Sequence, residues 1–76
     1  MKMARSVLWR LQRGGEQYEA VVNQGEAGQC ELGFFQNGFP LQRMWLAAGR
    51  GLAAVEEALA RREALKASGW RECTDH

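Results

Sequence analysis

Catalysis by side chains needs a nucleophile with its base, a pair of carboxylates, or a cluster that holds a metal. This chain offers little of that kind. It has one histidine, His76, next to its one aspartate, Asp75, at the end of the sequence. A terminal segment gives a general base no fixed geometry, so His76 reads as a solvated side chain. Cys30 and Cys73 are too few for a disulfide framework, and their spacing matches no metal or redox motif. Cys30 reads as a small apolar core residue. Ser6 and Ser68 have no base in reach, and Ser68 is better placed to end a helix. Glu19 and Glu31 share one face, but cross-strand pairing with Arg10 explains Glu19. Gly49-Arg50-Gly51 precedes a helix, where backbone N–H groups and Arg50 could hold an anion. It lacks the Lys-Ser/Thr of a phosphate loop and any acidic partner for a ribose. We therefore expect no catalytic residue, no cofactor and no metal: a protein that is not an enzyme.

The composition sets the outer bounds. Seventy-six residues make a single domain, 1–76. A domain this small buries only roughly 60% of the surface its unfolded chain exposes, so its stability is marginal. With 46% apolar residues, 25% charged and a net charge of +1, disorder and polycation behaviour are both excluded. Arg outnumbers Lys eight to two and Ala reaches eleven, a bias that a GC-rich bacterial genome produces without functional cause. The longest apolar run, the five residues Met44 to Ala48, falls far short of the roughly 20 residues of a membrane span. The first ten residues lack the apolar core of a signal peptide. We expect a cytoplasmic protein without a membrane partner.

Glycines divide the chain into four short segments and one long one. Residues 6–13 and 16–23 flank Gly14-Gly15, and a two-residue type I′ turn needs positive φ at both positions. That turn sets Arg13 against Glu16, Leu11 against Tyr18, Trp9 against Ala20 and Val7 against Val22. On the other face Arg10 meets Glu19 and Leu8 meets Val21. All these pairs match apolar to apolar or opposite charges. A short loop at Gly25-Glu26-Ala27 leads into a third strand, 29–36, and sets Cys30, Leu32 and Phe34 against Val22, Ala20 and Tyr18. Asn37-Gly38 is a second hairpin turn into a fourth strand, 39–47. It sets Phe34 against Leu41, Cys30 against Trp45 and Leu32 against Arg43. A charge on an apolar face is out of place there, and a bulge near Arg43 would turn Met44 and Leu46 inward instead. Pro40 cannot donate to a ladder, which makes this an edge strand. The segment 41–48 also fits a helical stripe running through Gly49 and Gly51, but each glycine would cost a helix about 1 kcal/mol.

Residues 51–68 read as the helix. Leu52, Val55, Ala58, Leu59 and Leu65 share one arc, and Glu57 precedes Arg61 by four. Ser68, Gly69 and Trp70 form the C-cap, the left-handed C′ residue and a C″ residue packed on Leu65. Arg62 falls inside the apolar arc, either snorkelling at the core margin or pairing with Glu31 or a ligand carboxylate. The outer helix face carries Ala53, Ala54, Ala60, Ala64 and Ala67. Residues 71–76 read as a frayed tail. The fold class is thus α+β: a four-stranded antiparallel meander, β-β-β-β-α, with one C-terminal helix on one face. Val7, Trp9, Leu11, Tyr18, Ala20, Val22, Cys30, Leu32 and Phe34 form the sheet side of the core.

One helix covers one face, so the other face is the place to look for function. It presents Leu8, Arg10, Gln12, Gln17, Glu19, Val21, Glu31, Phe35, Pro40 and Gln42. Leu8, Arg10, Glu19, Val21, Glu31, Phe35 and Pro40 are the candidate interaction face. A marginal chain with a one-sided core recovers burial by pairing with a copy, so a homodimer is the expected partner. Pro40 argues against pairing through the fourth strand, leaving the sheet face or the first or third strand. The alternative is single-stranded nucleic acid, with Arg10, Arg43 and Arg50 as the contacts. The β-β-β-β-α order resembles, in topology alone, the repeat unit of whirly and Pur-type single-strand-binding proteins. Against that use stand the near-zero net charge and the two carboxylates, Glu19 and Glu31, on the binding face.

Overall fold

A computed structural model describes residues 4–25 and 27–73. Asp75 and His76 lie outside the described residues, as does Glu26 of the second loop. The elements come in the expected order with one addition: β1 (Ala4–Arg13), β2 (Glu16–Gln24), β3 (Cys30–Gln36), β4 (Phe39–Leu46), α1 (Gly51–Ala67) and β5 (Arg71–Glu72). They form one antiparallel sheet in the order β4-β3-β2-β1-β5, with α1 across one face. The fold class is the expected α+β meander with a C-terminal helix. Residues 39–46 are strand and not helix.

Both tight turns have the geometry their residues require. Gly14 and Gly15 have φ of +56° and +84°, and Asn37 and Gly38 have +53° and +83°, the paired positive values of type I′ turns. From the first turn the register runs as expected through Arg13↔Glu16, Leu11↔Tyr18, Arg10↔Glu19 and Trp9↔Ala20. It then shifts. A bulge makes Leu8 an extra residue, so Val7 meets Val21 and Ser6 meets Val22. Val7 therefore does not join the core: it turns to the helix-free face and is exposed.

In the β2–β3 pair the ladder runs further toward the loop than expected, to Gln24↔Cys30, closed by Gly25 N–H donating to the Gln29 carbonyl at 2.8 Å. Leu32 thus meets Val22 and Phe34 meets Ala20, two residues from the expected register. Two is one full side-chain period, so each strand keeps its core face despite the offset. The second bulge comes between Phe35↔Pro40 and Phe34↔Gln42, with Leu41 as the extra residue. It lies two positions before Arg43 and does what a bulge there must do. Met44 and Leu46 turn toward the core, where they pack half-buried, and Arg43 moves to face Gly33.

The core is the helix-side face of β1, β2 and β3 under α1: Trp9, Leu11, Tyr18, Ala20, Val22, Cys30, Leu32, Phe34, Ala54, Ala58 and Trp70. Trp9 stacks on Tyr18 with ring centres 5.9 Å apart, and Trp70 meets Tyr18 edge-on at 5.6 Å. Such pairs add about 0.5–1.5 kcal/mol each beyond the area they bury.

The helix turns inward a face rotated from the expected arc: Ala58 and Leu65 of that arc pack on the core, whereas Leu52, Val55 and Leu59 are exposed and Ala54 is brought in. Ala54 and Ala58 are its buried residues, while Leu52 is 72% and Leu59 is 43% exposed. Ala54, assigned to the outer face by periodicity, is 1% exposed. The cause lies in the sheet. The large rings rise from the strands, so the helix must contribute small residues and come close. At that approach the Trp9 indole N–H donates to the Ala58 carbonyl at 2.8 Å. A buried indole N–H needs such a partner. Arg61 also faces the sheet: its guanidinium lies 4.3 Å over the Phe34 ring and donates to Tyr18 Oη at 2.9 Å and Gln42 Oε1 at 2.8 Å. The anticipated Glu57–Arg61 pair is therefore not formed. Arg62 pairs with Glu63 and Glu72 at the core margin and not with Glu31, which lies on the opposite face of the sheet.

The helix ends as its sequence dictates. Gly69 N–H donates to the Lys66 carbonyl and Trp70 N–H to the Leu65 carbonyl, both at 3.1 Å, the two bonds of a Schellman cap. Trp70 is buried, and Arg13 lies 4.7 Å over its ring while donating to the Ser68 carbonyl. Anchored in this way, Trp70 delivers the next residues to the edge of β1. Residues 71–73 do not fray: Arg71 and Glu72 pair with Gln12 and Leu11, and Cys73 N–H donates to the Arg10 carbonyl at 3.0 Å. Arg62 and Lys66 both reach Glu72, at 3.6 and 3.4 Å.

Candidate functional site: the sheet face without a helix

The sheet face away from α1 is built by the alternate residues of four strands, as reset by the two bulges. Arg10 and Gln12 come from β1, with Val7 beyond the bulge; Gln17, Glu19, Val21 and Asn23 come from β2; Glu31, Gly33 and Phe35 from β3; and Pro40, Arg43 and Trp45 from β4. Most of these positions are the ones plain alternation gives. Gln42 does not belong: the Leu41 bulge sends it to the helix side, where Arg61 holds it. Trp45, which the unbulged register sets opposite Cys30 and a bulge turns outward, is found opposite Glu31 and is 61% exposed. The exact position of the bulge decides the face of Gln42, and no turn residue marks it.

A small apolar cluster occupies the middle of this face. Val21 is fully buried although it lies outside the main core. Its neighbours explain that. Val7 stands opposite it on β1 and Gly33 on β3. The Phe35 ring lies over Gly33 so closely that a Cβ there would come within 2.8 Å of Phe35 Cε1. Glycine at position 33 is what lets the ring lie flat and close over the sheet. Leu8, at its bulge, and Val7 are exposed at the margin of the cluster.

The charges divide into two groups. Glu19 accepts from Arg10 Nε at 2.9 Å and lies 3.9 Å from Arg5, so the carboxylate is shared between two guanidinium groups. Glu31 is 3.5 Å from the Asn23 amide. Arg43 is exposed and, among the described residues, has no ion-pair partner. The three arginines expected to contact an anion are not gathered. Arg10 and Arg43 sit on strands three spacings apart, roughly 14 Å. Arg50 precedes α1 as its N-cap residue, and no side chain caps that end of the helix.

Among the described residues no three His, Cys, Asp or Glu side chains are grouped to hold a metal ion, and the surface encloses no pocket. Cys30 is buried and Cys73 half-buried, both as free thiols. Among the described residues no helix is long and apolar enough to cross a membrane. Comparison of the chain with protein-family models, with curated proteins and with solved structures gave no match.

Proposed function

We propose that this chain is a non-catalytic protein-association domain that works as a homodimer in the cytoplasm. The observation that carries this reading is the state of β4: none of its residues is buried, and it places Trp45 and Arg43 near each other on the helix-free face. Tryptophan and arginine are the side chains that dominate protein interfaces once desolvated. The Val21–Phe35 cluster extends the apolar surface inward from that edge. Two free cysteines suit a reducing compartment.

Sedimentation velocity tests the reading. At about 100 µM protein, a dimer with micromolar Kd is almost wholly formed. A mass that stays monomeric at that concentration refutes it. Trp45 and Arg43 together also suit an exposed base and its phosphate, which favours single-stranded nucleic acid as the second reading. That function predicts oligonucleotide binding that weakens steeply with salt. No binding at low salt removes it. Glu19 and Glu31, on the same face, act against it.

A further inference from the structure

The two edges of the sheet are not alike. At one, β5 pairs with β1 over Leu11 and Gln12, and the Leu8 bulge interrupts the remainder of that edge. At the other, β4 has no strand beyond it among the described residues. Exposed edges invite pairing with another chain unless a proline, a bulge or charges blunt them. Pro40 and the Leu41 bulge both fall in the first half of β4. The second half, Gln42 to Leu46, has neither, and it carries a single charge, Arg43.

Backbone alternation shows which groups this half presents. Asn37 N–H donates to the Gln17 carbonyl, so position 37 bonds across to β2 and position 36 bonds toward β4. Alternation then points the backbone of Phe34, Leu32 and Cys30 at β4, and that of Phe35, Gly33 and Glu31 at β2. Their β4 partners are thereby fixed: Gln42, Met44 and Leu46 bond to β3. Arg43 and Trp45 turn their N–H and C=O groups outward, away from the sheet. Their side chains both lie on the helix-free face.

We infer that β4 pairs antiparallel with β4 of a second copy, about a two-fold axis at Met44, so that Arg43 of each chain faces Trp45 of the other. This inference rests on the association reading and names its interface. The register is reached by elimination. Outward groups must pair with outward groups, which leaves three registers within the second half of the strand. One places Arg43 against Arg43, and like charges directly opposite are unfavourable. Another places Trp45 against Trp45 and sends Arg43 past the end of the opposing strand. The third pairs Gln42 through Leu46 along their full length and sets each guanidinium beside an indole, twice by symmetry. It also sets Pro40 against Ala48, beyond the strand end, where its missing donor costs nothing. The result is a continuous sheet through both copies, with the Arg43–Trp45 pairs on its helix-free face.

Two variants test the pairing. Arg43→Pro removes an outward N–H and leaves the β3–β4 ladder intact, so it is expected to weaken dimerisation at least tenfold while keeping the native far-UV circular dichroism. Met44→Cys, in a chain also carrying Cys30→Ala and Cys73→Ser, places two thiols across a non-hydrogen-bonded pair, where Cα atoms approach to about 4.5 Å and a disulfide is allowed. Mild oxidation is expected to link the copies nearly completely, whereas Gln12→Cys in the same background stays unlinked. A native dimer that Arg43→Pro does not weaken and Met44→Cys does not link overturns the β4 interface and leaves association through another surface. A native chain that is monomeric by sedimentation removes the association reading itself.

Discussion

The rotation of α1 can be tested with two substitutions at neighbouring positions whose effects should be opposite to those its hydrophobicity suggests. Leu59 is 43% exposed, and Ala58 is fully buried with its carbonyl bonded to the Trp9 indole. Removing a fully buried leucine side chain costs about 2–5 kcal/mol, because a cavity remains. At Leu59 nearly half of the side chain already meets water and the site can be filled by solvent, so Leu59→Ala should cost about 1 kcal/mol or less. Ala58→Leu adds three carbons where the helix backbone lies directly against an aromatic ring. Such overpacking costs about 1–3 kcal/mol, and here it also pulls Ala58 O away from Trp9 Nε1. For a domain of this size 1 kcal/mol moves Tm by roughly 4–8 °C, so Ala58→Leu should lower Tm by roughly 10 °C and Leu59→Ala by a few degrees. Urea denaturation at one fixed protein concentration gives both free energies, since self-association makes the midpoint depend on concentration. If Leu59→Ala costs about 2 kcal/mol or more, the helix presents its leucine arc to the sheet; if Ala58→Leu is neutral, the close approach of the helix at Ala58 is wrong.

Other residues make further tests. Gly69 has φ of +98° at the helix end, a conformation side chains resist, so Gly69→Ala should cost about 1–2 kcal/mol in the same denaturation assay. Arg61→Gln removes the cation over Phe34 and the donor to Tyr18; a loss of about 1–2 kcal/mol is expected, and a cost near zero would show that the guanidinium is incidental. Gly33→Ala forces the Phe35 ring off the sheet. Methyl NMR should then show the Val21 signals moving as they become solvated, with stability changed by less than about 1 kcal/mol because the ring tip is free to swing and alanine is the stiffer residue.

Those tests bear on the features that are hardest to read from sequence. Short-range signals are legible: both type I′ turns, the pairing of Leu11 with Tyr18 and Arg10 with Glu19, and the Ser68-Gly69-Trp70 cap are fixed by residues a few positions apart. The β2–β3 register differs from the expected one by two, yet the faces survive because the error equals the side-chain period. The fourth strand shows what a conflict in pattern is worth. Arg43 on an apolar face requires a bulge, and one is there, though its position at Leu41 has no signature. The bulge at Leu8 is hidden because Val7 and Leu8 are both apolar, so either register satisfies the pattern. The helix face misleads for a different reason. Periodicity reads size as depth, while the depth available depends on what the sheet sends upward, and here that is Trp9, Tyr18 and Phe34. The candidate face is legible in outline, in Glu19, Val21, Glu31 and Phe35. Its most exposed aromatic residue, Trp45, reaches that face only because the strand is bulged, since unbroken alternation would set it opposite Cys30.

Leu41 gives this strand an unusual tolerance. It is the surplus residue of the second bulge, so a single-codon deletion at that position would remove the bulge and leave the later pairs as they are, with Gln42 against Phe34, Arg43 against Gly33, Met44 against Leu32 and Trp45 against Glu31. The harmful change is the opposite one. An insertion between positions 42 and 43 would send every later residue to the other face, drawing Arg43 beneath the helix, where its charge would sit in hydrocarbon. Shortening the strand at Leu41 should therefore be far better tolerated than lengthening it after Gln42.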